Sequence, residues 1–274
     1  HNSIALTLVI GVVLTVVGLV FNDPILKAIG VPSDVFSEAS TYLSIYFWSL
    51  IFVMIYNMGS GILRSVGDSK RPLYFLIFSS VINIVLDFLF VKNFGFGVAG
   101  AGYATLIAQA ISAIMVMYVL MKTEDTYKVV LKDIKFDKEI LLKIIKIGLP
   151  TGFQQSIVSL SNVIVQSYIN VYGASVIAGY SVTIKIDGFV NLPLQAFNMA
   201  ITTFVGQNIG AKQYNRVKKG AYITTFLAMV TIGFFVVIMY FFGRDFIALF
   251  NQEKDVIDAG RLMQLTFLPF YIFL

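Results

Sequence analysis

Asn83 and Asp87 lie four residues apart inside the apolar run 72–91. On a helix that spacing puts both on one face, where two side-chain oxygens can converge on a proton or a small cation. A carboxylate in such a run is costly to desolvate and marks a functional locus by default. Two further sets of polar residues repeat at helical spacing. Gln155, Ser159, Asn162 and Gln166 step by four, three and four residues along 150–171. Asp187, Asn191, Gln195, Asn198 and Thr202 do the same along 176–205, in a helix expected to bend near Pro193. Lys185 lies two residues from Asp187, roughly 200° around the helix, so the two cannot pair within it. Each needs a partner elsewhere or water. Two such stripes in adjacent runs, one of them charged, point to a water-filled cavity that admits polar or cationic ligands. A single stripe would read as hydrogen-bonding glue between helices.

The surroundings of these residues are a membrane. Of 274 residues, 58% are hydrophobic and only 13% charged, with a mean hydropathy of +0.84. A soluble domain carries roughly 45–50% apolar and about 25% charged residues, so soluble enzymes, nucleic-acid-binding domains and disordered tails are excluded despite a net charge of +5. A bilayer core of roughly 30 Å takes about 20 apolar residues in a helix. The expected spans are 3–21, 40–63, 72–91, 98–121, 150–171, 176–205, 221–242 and 256–274, so the predicted fold class is an all-α polytopic membrane protein with eight transmembrane helices. Turns are expected at Asn22-Asp23-Pro24, Gly67-Asp68, Gly95-Phe96-Gly97, Gly148-Leu149-Pro150 and Gly243-Arg244-Asp245. The connections 64–71, 122–149 and 208–220 carry 14 Lys and Arg, against 4 in 22–39, 92–97, 172–175 and 243–255. By the positive-inside rule the first set is cytoplasmic. Both ends of the chain fall in apolar runs, so it is expected to be a piece of a longer protein.

The long polar segment 122–149 separates two groups of four spans, and residues 140–146 have the spacing of an interfacial amphipathic helix. The domains expected are therefore 1–121, the linker 122–149, and 150–274. Phe21, Glu38-Ala39, Ile45 and Phe47 are matched 220 residues later by Phe241, Asp258-Ala259, Leu265 and Phe267. That offset crosses six spans and implies two halves of the same orientation, the parallel repeat of transporters. Other motifs are discounted. Gly95-x-Gly97-x-x-Gly100 lacks a soluble βαβ unit and any acidic residue before Glu124, so it reads as a turn followed by small-residue packing. Gly148-x-x-x-Gly152 and Gly206-x-x-x-Gly210 are expected to be close helix contacts. There is no cysteine, the one histidine is His1, and no metal-binding His/Glu pattern or nucleophile motif occurs in the spans. No enzyme activity, cofactor or nucleic-acid partner is expected.

Several motifs in order resemble the multidrug and toxic compound extrusion (MATE) family, most closely its DinF-like bacterial branch. These are the turn Gly61-Ile62-Leu63-Arg64-Ser65-Val66-Gly67-Asp68-Ser69-Lys70-Arg71-Pro72, then Asn83-Ile84-Val85-Leu86-Asp87, Gly97-Val98-Ala99-Gly100-Ala101-Gly102, Gly148-Leu149-Pro150 and Gly206-Gln207-Asn208-Ile209-Gly210-Ala211. The resemblance implies helices three to ten of a twelve-helix, two-lobe (6+6) antiporter that exports cationic or amphipathic compounds against H⁺ or Na⁺ by alternating access. It implies a cation or proton site at Asp87 and Asn83, with Thr105 from the next helix and Asn57 from the preceding one. Na⁺ at Asp87 would be the only metal. The site's first-helix aspartate lies outside the chain. The other branch carries a glutamate in helix seven where this sequence has Val158, which argues against a site of that type. A monomer in the cytoplasmic membrane of an AT-rich bacterium is expected, from the Lys-, Ile- and Phe-rich composition. The alternative is a lipid-linked saccharide flippase of the same superfamily, which would want more basic charge at the cavity than Lys185.

Overall fold

A computed structural model describes residues 1–273. It contains eight α-helices and, among the described residues, no strand: α1 Asn2–Ala28, α2 Phe36–Ser65, α3 Lys70–Asp87, α4 Gly97–Lys122, α5 Lys138–Ile169, α6 Ala174–Gly210, α7 Tyr214–Ala248 and α8 Lys254–Phe267. A π-helical turn, Phe88–Asn93, prolongs α3, and 3₁₀ turns follow α5 and α8. Each expected span has its own helix, but 72–91 continues from α3 into the π turn, 150–171 from α5 into a 3₁₀ turn and 256–274 from α8 into another, with Leu274 outside the described residues. Five helices are long and apolar enough to cross a membrane: α1, α2, α3 with its π turn, α4 and α7. The other three are α5 and α6, which carry the polar stripes, and α8, which is only 14 residues long.

Five helices overrun the expected boundaries at both ends, α3, α5 and α8 stop short of the expected span ends, and three expected turns are helical. Asn22-Asp23-Pro24 lies inside α1, Gly148-Leu149-Pro150 inside α5 and Gly243-Arg244-Asp245 inside α7. The glycine at 243 serves packing instead, since a Cβ there would strike Gln264 and Arg261 of α8. True turns form where glycine adopts a positive φ, at Gly67 (+90°), Gly95 (+69°) and Gly97 (+54°). The chain divides into two compact units, His1–Gly148 and Leu149–Leu274.

In the first unit α2 packs between α1 and α4, and α4 packs between α2 and α3. Apolar side chains gain little by leaving lipid, so close packing of small residues must hold such helices together. Gly11 accepts Ile51, Gly18 sits under Phe47, Gly102 meets Ile45 and Gly59 lies beneath Val116 and Leu120. Leu63, Val116 and Leu120 are fully buried at the 64–71 end, where the Tyr56 hydroxyl donates to the Pro72 carbonyl (2.8 Å). At the other end Asn22, 4% exposed, clasps α1 to α2. Its amide donates to the Ser40 carbonyl (2.8 Å) and to the hydroxyls of Ser40 and Ser44 (3.1 and 2.6 Å). The first half of the linker folds onto this unit, with Val129 buried and the Asn2 amide donating to the Asp137 carbonyl (2.7 Å). The second half, expected as a separate interfacial helix, is the start of α5, capped by Asp137, which accepts from the amides of Glu139 and Ile140.

In the second unit α6 packs against α7 and α8. Its tightest approach is Gly179 to Gly260, where a Cβ on Gly179 would lie 2.7 Å from the Gly260 nitrogen. Thr183 is fully buried one turn on, and its hydroxyl lies 2.9 Å from the Gly179 carbonyl and 3.2 Å from that of Gly260. Val182, Ile186, Val190, Ile232, Met239 and Ile247 form the core. By contrast, α5 has no buried residue, and among the described residues it packs on none of α6, α7 and α8. The glycine pairs 148/152 and 206/210 do not form the close contacts expected of them: nothing described lies within 4 Å of a Cβ at any of the four.

The Gly179 contact is backbone to backbone and cannot be relieved by a side-chain rotation. Gly179→Ala is expected to destabilise the second unit by about 1–3 kcal/mol, whereas Gly188→Ala, in open space on the same helix, leaves stability unchanged. Thermal unfolding in detergent followed by circular dichroism checks both.

Candidate functional site

Along α3 the buried residues Pro72, Phe75 and Ser79 mark the packed face, and Asn83 and Asp87 continue it at one-turn intervals. Both are half-buried. Among the described residues, five buried side-chain atoms have no hydrogen-bond partner: Asn2 Oδ1, Asn22 Oδ1, Ser60 Oγ and, one turn apart on α3, Asn83 Nδ2 and Asp87 Oδ1. A buried polar atom left unpaired costs about 1–3 kcal/mol, more when charged. Asp87 forms no ion pair with Lys92; the ion pairs among the described residues are Arg71–Asp68 (3.2 Å) and Arg244–Asp258 (2.9 Å). The α-helix gives way to the π turn directly after Asp87, and such turns concentrate at functional sites. The turn is held by the Phe94 amide on the Leu89 carbonyl (2.9 Å) and covered by Phe90, Phe94 and Phe96, whose ring centroids lie 5.8–6.1 Å apart. A Cβ at Gly100 would sit 3.0 Å from that of Phe90, so α4 folds back tightly against the turn.

Those contacts set the levels of the other two expected members. With Gly100 against Phe90, the antiparallel α4 brings residues 103–105 level with Asp87. Thr105, half-buried, therefore stands at the right height. α2 runs parallel to α4, with Ile45 on Gly102 and Gly59 on Val116, an offset of 57 residues in both pairs. Asn57 is thus level with residue 114, about nine residues or ~13 Å further along, and it is exposed. The structure does not gather Asn57 with the other three, because the packed face of α2 at the height of Asp87 is Ile45 and Ser49. Among the described residues none of the four hydrogen-bonds another.

The expected cavity residues are distributed unevenly. Gln155, Ser159 and Asn162 are exposed and Gln166 half-buried on the unpacked α5, and Gln166 donates to Asn170 (2.8 Å). This stripe is not brought against that of α6. On α6, Asp187 accepts a hydrogen bond from the hydroxyl of buried Tyr271. Lys185 is exposed, with its Nζ 5.9 Å from the Phe250 ring centroid, a cation–π distance. Asn191 donates to the Asp187 carbonyl (2.9 Å), and Gln195 is exposed. Asn198 reaches a cavity of about 340 Å³ between α6 and α7, walled by Phe197, Ile201, Thr224, Thr225 and Met229. Sequence reasoning missed Tyr271, Phe250 and Asn22. The first two are single aromatics among 39 Phe and Tyr, and Asn22 has the look of turn punctuation beside Pro24.

These arrangements can bind monovalent ions and organic cations through single carboxylates. Among the described residues no three His, Cys, Asp or Glu gather to hold a metal. The Tyr271 hydroxyl makes the side-chain hydrogen bond of Asp187, so Tyr271→Phe is expected to destabilise by about 1.5–3 kcal/mol. In a double-mutant cycle Asp187→Asn with Tyr271→Phe costs less than the two single changes together; thermal unfolding of the four proteins reads the coupling.

The sequence profile of the MatE family matches residues 1–89 and 150–274. Over 280 aligned residues the chain is 32% identical to the probable multidrug resistance protein YoeA of Bacillus subtilis (strain 168), covering 99% of this chain and 60% of that protein. It is 24% identical to the multidrug export protein MepA of Staphylococcus aureus (strain MSSA476), covering 93% and 56%. Among solved structures it superposes on the crystal structure of MATE in the bent conformation with a TM-score of 0.89 and 26% identity, over 98% of this chain and 60% of that one. The outward-facing conformation of a multidrug resistance MATE family transporter of the MOP superfamily gives the same TM-score at 25% identity, with the same coverage. The chain thus spans about 60% of the length of these relatives. It is a member of the MatE family, the multidrug and toxic compound extrusion proteins.

Proposed function

We propose that this chain is part of a secondary active exporter that moves cationic or amphipathic organic compounds out of a bacterial cell against H⁺ or Na⁺. The observation that carries this reading is the pair of unpartnered buried atoms, Asn83 Nδ2 and Asp87 Oδ1, one turn apart on the packed face of α3. A site left unsatisfied by the protein's own groups favours an exchangeable occupant. A carboxylate oxygen takes a proton or Na⁺, and a half-turn of the Asn83 amide presents either a donor or an acceptor to it. Thr105, at the same height on α4, is the next ligand in this scheme, and Asn57 lies outside it. Ion binding at Asp87 favours one orientation of the lobes and substrate binding the other, and coupling requires that each ligand discriminate between the two states. Asp187 with Tyr271, Lys185 and the cavity at Asn198 supply the second unit's contacts to substrate. The names of the relatives, a probable multidrug resistance protein and a multidrug export protein, support the same class. The protein acts as a monomer in the cytoplasmic membrane, with the 64–71, 122–149 and 208–220 connections inside.

The test is ethidium efflux from cells expressing the complete protein, wild type beside Asp87→Asn, with the proton gradient collapsed and, separately, with Na⁺ removed. Efflux is expected to need Asp87 and one of the two gradients. Asp87→Asn is expected to lower it at least tenfold without loss of inserted protein. Wild-type efflux by that variant refutes the ion site, and no efflux by the inserted wild type refutes the substrate class.

A further inference from the structure

A groove of about 550 Å³ opens between α2 and α4 on a part of the first unit that the transport scheme does not use. Its walls change character along α2. Ser40, Thr41 and Ser44 line the end nearer the helix start, while Ile45 and Trp48, with Leu106 and Tyr103 of α4, line the other. Ser40 lies about 6 Å and Trp48 about 18 Å along the helix axis from its first residue. With the 22–39 connection outside, this gradient runs from polar at the outer interface to apolar within the hydrocarbon, the polarity of a bilayer lipid in its own leaflet. The residues that line it are distinct from Asn83, Asp87 and Thr105, and Tyr103 lies about 200° from Thr105 around α4.

The polar end is rich in electrons. No Lys or Arg lines the groove. The Ser40 hydroxyl donates to the Asp23 carboxylate (2.9 Å), and Thr41 donates to the Ser37 carbonyl (2.9 Å). Ser44 accepts from Asn22 (2.6 Å). The hydroxyl oxygens thus offer lone pairs with a carboxylate directly behind them, which suits a cation and repels a phosphate with no ammonium beside it. Below them Trp48, 57% exposed, and Tyr103, 47% exposed, present aromatic surface to an acyl chain or an ammonium group. Interfacial anchoring alone accounts for an exposed Trp and Tyr, but it requires neither the cavity nor the carboxylate.

We propose that this groove binds an outer-leaflet phospholipid with an ammonium head group, the ammonium against Thr41, Ser44 and the Asp23 charge and the chain along Ile45, Leu106 and Trp48. The inference rests on the outer placement of the 22–39 connection and not on export activity. Ser37→Cys in a chain without cysteine, labelled from outside the cell by an impermeant maleimide, checks that placement separately. For the binding itself, the complete protein is reconstituted in nanodiscs with phosphatidylethanolamine or phosphatidylglycerol carrying brominated acyl chains. Emission of Trp48, the single tryptophan of this chain, is read as the difference between the protein and its Trp48→Phe variant. Brominated phosphatidylethanolamine is expected to reach half-maximal quenching at a mole fraction at least threefold below that of phosphatidylglycerol. Asp23→Asn, with unchanged helical circular dichroism, brings the two to parity. Equal quenching by both lipids in the wild type means ordinary annular contact and overturns the proposal. Relief of quenching by micromolar dodecyltrimethylammonium, with no preference between the lipids, assigns the groove to soluble amphiphilic cations and overturns it as well.

Discussion

A polar atom in hydrocarbon has no water to fall back on, so each must find a partner within the protein. That constraint orders most of what is seen here. The hydroxyls of Ser49, Ser79 and Ser112, buried between helices of the first unit, donate to carbonyls three residues back on their own helix. Ser156, Ser161, Ser167, Ser181 and Thr202 in the second unit reach back four. These residues look like interhelical glue in the sequence but are satisfied locally. Against that background few polar side chains stand out. Thr15 and Asn22 reach from α1 to α2, Tyr271 reaches Asp187, and Asn2, Asn22, Ser60, Asn83 and Asp87 keep atoms that no described group satisfies. The last two share a helix face, and function is assigned to them for that reason.

Asp87 and Asn83 were legible in the sequence because a carboxylate in an apolar run has no ordinary explanation, and the 3.6-residue period fixes their common face. The helices were legible too, since hydropathy and the Lys/Arg alternation both count spans. The ends were not. A helix that crosses lipid continues into the interface, where glycine and proline no longer end it unless the backbone needs a positive φ, and Gly67 needs one while Gly243 does not. Periodicity also could not tell which stripe meets a neighbour. The residues on α5 and α6 repeat equally well, but only α6 is packed. The π turn after Asp87 left no compositional trace, because Phe88-Leu89-Phe90-Val91 is as ordinary in one helical form as in the other. Asn57 was placed by resemblance, and only the pairing of α2 with α4 revealed its height.

The two units solve one packing problem with different chemistry. α7 ends at Ala248, 220 residues after α1 ends at Ala28, the offset at which the sequence partly repeats. In the first unit the junction of the first two helices is tied by an amide on two serines, Ser40 and Ser44. In the second the corresponding positions are Gly260, which abuts Gly179, and Gln264, which lies with Arg261 over Gly243. Arg261 donates to the Met239 and Tyr240 carbonyls (2.8 and 2.6 Å), and the Gln264 amide contacts the Met239 sulfur (3.2 Å). A clasp backed by the Asp23 carboxylate in one unit and a cationic one in the other give these two helix pairs different electrostatic surroundings.

The self-contained hydroxyls have a mechanical consequence. Where a buried serine is already bonded to its own helix, as Ser49, Ser79 and Ser112 are, two neighbouring helices can slide or roll past one another without stranding that donor midway. What resists such motion is the interlocking of small residues with their neighbours, such as Gly59 with Val116 and Leu120, and that contact can be re-made one notch along. The bonds that cross between helices, from Asn22 to Ser40 and Ser44, from Thr15 to the Phe47 carbonyl and from Tyr56 to the Pro72 carbonyl, would have to break. The first unit is therefore stiff at those few cross-links and compliant between them.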